Sequence, residues 1–264
     1  MTAVIASEWL KLRRKGMLVA LLATVAIGTM STAITITTAG GSRGDARGPG
    51  GGGISVASLP SSHGLARALA NSSTLLGVIA LCIFAASFAG EYGHGTLRNL
   101  LVNEPRRVRL LCGKFVAVAS AALLAIVAAS AVGAIAAAVA AGAKGFDASA
   151  WWTAEGIRDA LVSTGNLALA TVGWGLFGAV LGVVFRSSVA AVGVGVAYAL
   201  PLESILGGVA SGTARWLPGK LLAAIAAGGD STASLRAGLI TVGIYATIAS
   251  VIVGVVFVRR DVAV

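Results

Sequence analysis

Charged side chains make up only 11% of these 264 residues, where ordinary soluble domains carry roughly a quarter. A soluble domain of this size needs a polar shell, and the chain lacks the residues to build one. Histidine occurs only at positions 63 and 94, and cysteine only at 82 and 112. Neither histidine falls in an apolar run where it would activate a serine or join a zinc set. No CxxC or Cys/His cluster suggests a metal, and the contrasting settings of Cys82 and Cys112 argue against a disulfide. The apolar runs hold almost no ionisable residue, which speaks against proton relays and ion pumps. No GxxxxGK(S/T) occurs, so these residues offer no P-loop for ATP phosphates. The expectation is therefore no catalytic residue, no metal ligand and no cofactor bound by this chain.

Three glycine patterns match catalytic or phosphate-binding motifs and lack the required context. Gly48 to Gly53 and Gly173 to Gly178 both fit GxGxxG, but neither follows a strand and opens a helix. The second reads better as a small-residue packing face, because Gly178 and Gly182 form a GxxxG pair. Gly40 to Gly44 fits GxSxG within a glycine-rich loop with no partnered base.

What the chain has in excess is apolar sequence: 57% hydrophobic residues and a mean hydropathy of +0.91. Several runs reach the roughly 18–20 residues that cross a bilayer as a helix. Because they are continuous rather than alternating, they argue for helices and against a β-barrel. The expected fold is all-α, a single six-span membrane domain over residues 1–264. The spans are read at about Met17–Thr38, Leu69–Ala89, Phe115–Ala141, Leu161–Phe185, Val189–Leu206 and Leu239–Val258. Residues 1–16 read as an interfacial helix, with Trp9 at headgroup depth and Lys11, Arg13 and Arg14 on its polar side. The Gly-, Ser- and Pro-rich segment 39–68 reads as a flexible outer loop. Pro201 and Glu203 suggest a break before 207–236, where an apolar stretch too short to cross reads as interfacial or re-entrant.

Six spans put both termini on one side. With the termini inside, the inner segments hold 12 of the 20 Lys and Arg in about 50 residues. The positive-inside rule then places both termini and the connector 90–114 in the cytoplasm. The net charge of +10 is explained by that bias. No basic stripe interleaved with stacking aromatics points to nucleic acid.

The connector GEYGHGTLRNLLVNEPRRVRLLCGK concentrates charge that the rest of the chain lacks. Leu97, Leu100 and Leu101 fall at helical spacing beside Arg98. Pro105 then has the local chemistry of a helix start, followed by Arg106, Arg107 and Arg109. This segment resembles the first intracellular loop of ABC-2-type exporter permeases. The match lies in Glu91, Gly95-Thr96, Leu97-Arg98, Pro105-Arg106-Arg107 and Lys114. SEWLKLRRKG is similar to that family's N-terminal elbow helix, and RWLPGKLLAAI to its outer helices before span six.

The resemblance implies that 90–114 is a coupling loop docking on a separate ABC ATP-binding subunit. Glu91, Leu100, Leu101 and Lys114 would be among its contacts. It also implies two copies of that subunit, carrying the ATP and Mg, and a second permease copy in a homo- or heterodimer. The localisation implied is the bacterial plasma membrane. The expected function is ATP-driven export of an amphipathic, lipid-like or antibiotic-like molecule. A non-transporting scaffold, immunity or sensor subunit is the alternative. For a substrate path the sequence offers Thr24, Thr29, Thr32 and Thr35 in span one and Glu203 in span five. The competing reading of those threonines is hydroxyls bonded back to their own helix.

Overall fold

A computed structural model describes Trp9 and residues 15–39, 46–47, 53–54, 59–93, 107–209 and 212–259. A backbone in hydrocarbon must satisfy its own polar groups, so long apolar runs without interior breakers become helices. The helices are α1 (Lys15–Thr38), α2 (Gly64–Ala70), α3 (Ser73–Gly93), α4 (Arg107–Ala143) and α5 (Ala154–Phe185). They continue with α6 (Ser188–Ala197), α7 (Glu203–Val209), α8 (Pro218–Ala226) and α9 (Leu235–Arg259). Six stretches are long and apolar enough to cross a membrane. The fold is all-α; extended pairing among the described residues amounts to the short hairpin Ala46–Arg47 with Gly53–Ile54 and an isolated bridge between Gly229 and Ser234. The distal end of the bundle lies away from the α3–α4 connector.

Three differences from the sequence reading have physical causes. Span three starts earlier than its apolar run, because α4 already begins at Arg107; charged residues continue a helix as readily as apolar ones once it is nucleated. Span two gains a preceding short helix, α2, which takes in the end of the expected loop 39–68. That loop's end is packed, with Leu59 and Leu65 in a core cluster around Trp151. Span five does not break at Pro201. The helix widens to a π-turn over Tyr198–Leu202 and resumes as α7, which accommodates a proline that lacks an N–H and crowds the preceding turn.

The most extensive helix pair is α3 with α5, and the next is α1 with α4. Small residues permit the first. A Cβ on Gly178 would collide with the Leu81 carbonyl, and one on Gly182 would sit 2.7 Å from the Ala85 carbonyl. The GxxxG face expected in span four therefore lets two backbones approach directly, the main source of helix attraction in lipid. Helix α8 packs on α5 and α9 through Leu221, Leu222 and Ile225. The chain then reverses through Gly228 and Gly229, both at positive φ.

Candidate functional site

At the connector end, Glu91 lies in the last turn of α3 and Arg107 opens α4. Gly95, Thr96, Leu97, Arg98, Leu100, Leu101, Pro105 and Arg106 fall outside the described residues, as do Lys11, Arg13 and Arg14 of the expected elbow helix. Lys114, the last residue of the expected loop, is buried between α3 and α4. Its ammonium stands 5.7 Å from the centre of the Phe88 ring, a cation–π contact that strengthens as water is excluded. Leu110, one turn earlier, is buried in the same cluster as Phe88. Trp9 Nε1 donates to Ser120 Oγ at 3.2 Å, placing that residue against α4.

The span-one hydroxyls divide into two sets. Thr24, Thr32 and Thr35 are buried, and each donates to the carbonyl four residues earlier, at 2.8, 2.9 and 2.9 Å. Thr35 also accepts from Asn71 Nδ2 at 3.0 Å, which ties α1 to the α2–α3 joint. Thr29 Oγ1 and Ser31 Oγ on α1, with Ser130 Oγ on α4, are buried without a hydrogen-bond partner. A buried polar group left in that state is costly.

Glu203 is 4% exposed, and its carboxylate is engaged. Oε1 accepts the Gly219 N–H at 2.7 Å and lies 3.5 Å from the Tyr198 hydroxyl, at the long limit of a hydrogen bond. Gly219 is in the first turn of α8, where unpaired amides and the helix dipole favour an anion. The site is closed by aromatics, with Trp174 and Phe177 centred 6.4 Å apart and Phe177 and Tyr198 5.4 Å apart. Glycine is required at 219, because a Cβ there would strike both the Glu203 carboxylate and the Trp174 ring. Glu203 thus holds span five to α8, while the Tyr198 ring packs span five on Phe177 of α5.

Two hollows flank this node. A cavity of about 900 Å³ opens at the distal end among α2, α5, α8 and the 227–232 turn. Its wall carries both charge signs, Arg67 and Lys220 beside Asp159 and Asp230, with the amides of Asn71 and Asn166. A second hollow of about 510 Å³ runs between α4, α5 and α9. It is almost wholly apolar, with Phe115, Leu169, Leu176, Val242 and Val253 in its wall. The first suits a polar group of mixed charge, the second a hydrocarbon chain.

Residues 4–202 match the family model described as an ABC-2 family transporter protein. The chain belongs to that family. Comparison with curated proteins returns no match. The ABC-2 match covers the connector and the first five spans up to the π-turn, while Glu203, α8 and α9 follow it. As a member, the chain is a multi-pass membrane transport protein, in keeping with its six apolar helices.

The ABC-2 fold draws together residues that the sequence does not mark. Asn71, Tyr198, Trp174 and Gly219 surround two of the expected path residues, Thr35 and Glu203. The available signal is slight: Pro218 precedes Gly219 as a helix start should, but nothing local announces a carboxylate partner 16 residues away.

Proposed function

We propose that the chain is the membrane-spanning subunit of an ATP-driven exporter, with both termini and the connector in the cytoplasm of a bacterial cell. It pairs with a second permease copy and with two copies of a separate ABC ATP-binding subunit, which carry the ATP and Mg. The observation that carries this reading, beyond family membership, is the length of α4. Its 37 residues extend about 55 Å at 1.5 Å per residue, against a hydrocarbon core of about 30 Å. At the distal end α4 is apolar to its last turn, so the charged surplus, Arg107 to Lys114, lies at the connector end. The connector therefore stands on a helical post bound to α3 through Lys114, Phe88 and Leu110. A push on the connector would move spans two and three together, and the α3–α5 contact would pass that movement to span four. The polar vestibule and apolar groove support an amphipathic, lipid-like or antibiotic-like cargo.

Replacement of Leu100, Arg106 and Arg107 together by alanine tests the docking role. Loss of co-purification with the ATPase and of transport-linked ATP hydrolysis is the expected outcome, with membrane insertion retained. Undiminished ATPase binding and transport in that variant would remove the connector from the mechanism.

A further inference from the structure

At the rim of the distal vestibule, His63, Glu155 and Asp159 bring one imidazole nitrogen and two carboxylates together, with ligand atoms all within 4.8 Å of one another. Glu155 and Asp159 stand one turn apart on α5, so both face the same way. His63 comes from the residue before α2, and its Nδ1 lies 2.5 Å from Asp159 Oδ2. Two bonds hold these elements in register on either side of the trio. Trp151 Nε1 donates to the Leu59 carbonyl at 2.7 Å, and Ser163 Oγ donates to the Ala66 carbonyl at 2.9 Å. The donor set is thus carried on docked helices, and short side-chain rotations bring three ligand atoms around one point.

We propose that His63, Glu155 and Asp159 bind a divalent transition-metal ion of the zinc class. One imidazole and two carboxylates match its preference for nitrogen and oxygen donors in a site with an open position. The two carboxylates balance the ion's charge, whereas without it they are like charges at i and i+4, an unfavourable spacing. Magnesium and calcium fit less well, since they favour all-oxygen shells of six or more ligands. Such an ion would clasp the start of span two to the start of span four, beside the cavity that His63 and Asp159 help to line. A simpler arrangement, a His63–Asp159 pair with Glu155 serving the helix dipole, makes a different prediction: Glu155 would then have no effect on metal binding.

The test uses the full chain, purified in detergent without a histidine tag, stripped with chelator and carrying Cys82→Ser and Cys112→Ser to remove thiol ligands. Titration with Zn²⁺ against a chromophoric chelator should show one saturable site per chain. Binding should weaken at least roughly tenfold in His63→Ala and in Glu155→Gln separately. Glu155 and His63 are exposed, where an ion pair adds little stability, so both variants should keep a cooperative thermal transition without metal. Absence of saturable binding, or Zn²⁺ affinity unchanged in either variant, would overturn the site. Neither outcome depends on ATPase docking, so this proposal and the exporter reading stand or fall separately.

Discussion

Helix α5 is packed in two contrasting ways. Toward α3 it presents Gly175, Gly178 and Gly182, and the partner's backbone and Phe84 ring come directly against them. Toward α9 it presents Leu169, Val172 and Leu176, and a hollow of about 510 Å³ remains between the helices. The burial follows suit: 61% of the span-two window is buried inside the chain, against 6% for span six. Lipid tails are as apolar as leucine, so helices in a bilayer associate by close fit rather than by escape from water. The α3–α5 pair has that fit. Helix α9 instead turns Ile240, Ile244, Ile248 and Val251 outward, a surface suited to lipid or another protein.

The sharpest way to break this contrast is at Gly178. Gly178→Leu forces a side chain into the Leu81 carbonyl and should separate α3 from α5. The expected loss is about 3 kcal/mol or more, read as a lowered thermal midpoint and poor monodispersity in detergent. Next is Glu203→Ala, which strands the Gly219 amide in a buried site and should cost about 2–3 kcal/mol. Glu203→Gln keeps an acceptor and should lose less, so the difference between the two variants reports the value of that acceptor and the loss in Glu203→Gln that of the carboxylate. Trp151→Phe preserves the buried ring but deletes the bond to Leu59. About 1 kcal/mol is expected, with faster hydrogen exchange confined to 59–70. The smallest effect should come from Ile244→Ala on the outward face of α9, within about 0.5 kcal/mol. A shift there as large as that of Gly178→Leu would show that α9 is as tightly integrated as α3, and the contrast would collapse.

Much of the architecture was legible along the chain. Each long apolar run forms a helix, and the Gly178/Gly182 pair marks a packing face because small-residue spacing is a local property. Helix ends were less legible. The apolar run of span three begins at Phe115, yet its helix begins at Arg107, since hydropathy marks where lipid is and not where hydrogen bonding starts. The segment GLARALA was obscured by the glycine- and serine-rich sequence before it, and only its packing on α5 identifies it as part of span two. Of the path residues, Thr24, Thr32 and Thr35 bond back along their helix. Thr29 retains a buried hydroxyl without a partner. Glu203 is a structural anchor between span five and α8.

Composition and run length by themselves determined that this chain is a bundle of six membrane-crossing helices, because a backbone in hydrocarbon has almost no other way to satisfy its polar groups. Only the tertiary structure decided what the few polar residues do. His63 and Asp159 lie 96 positions apart in sequence, and Glu203 and Gly219 sit on opposite sides of a turn. Their partnerships exist because close-packed small residues fix the helices at one register, and the sequence encodes that fit without displaying it.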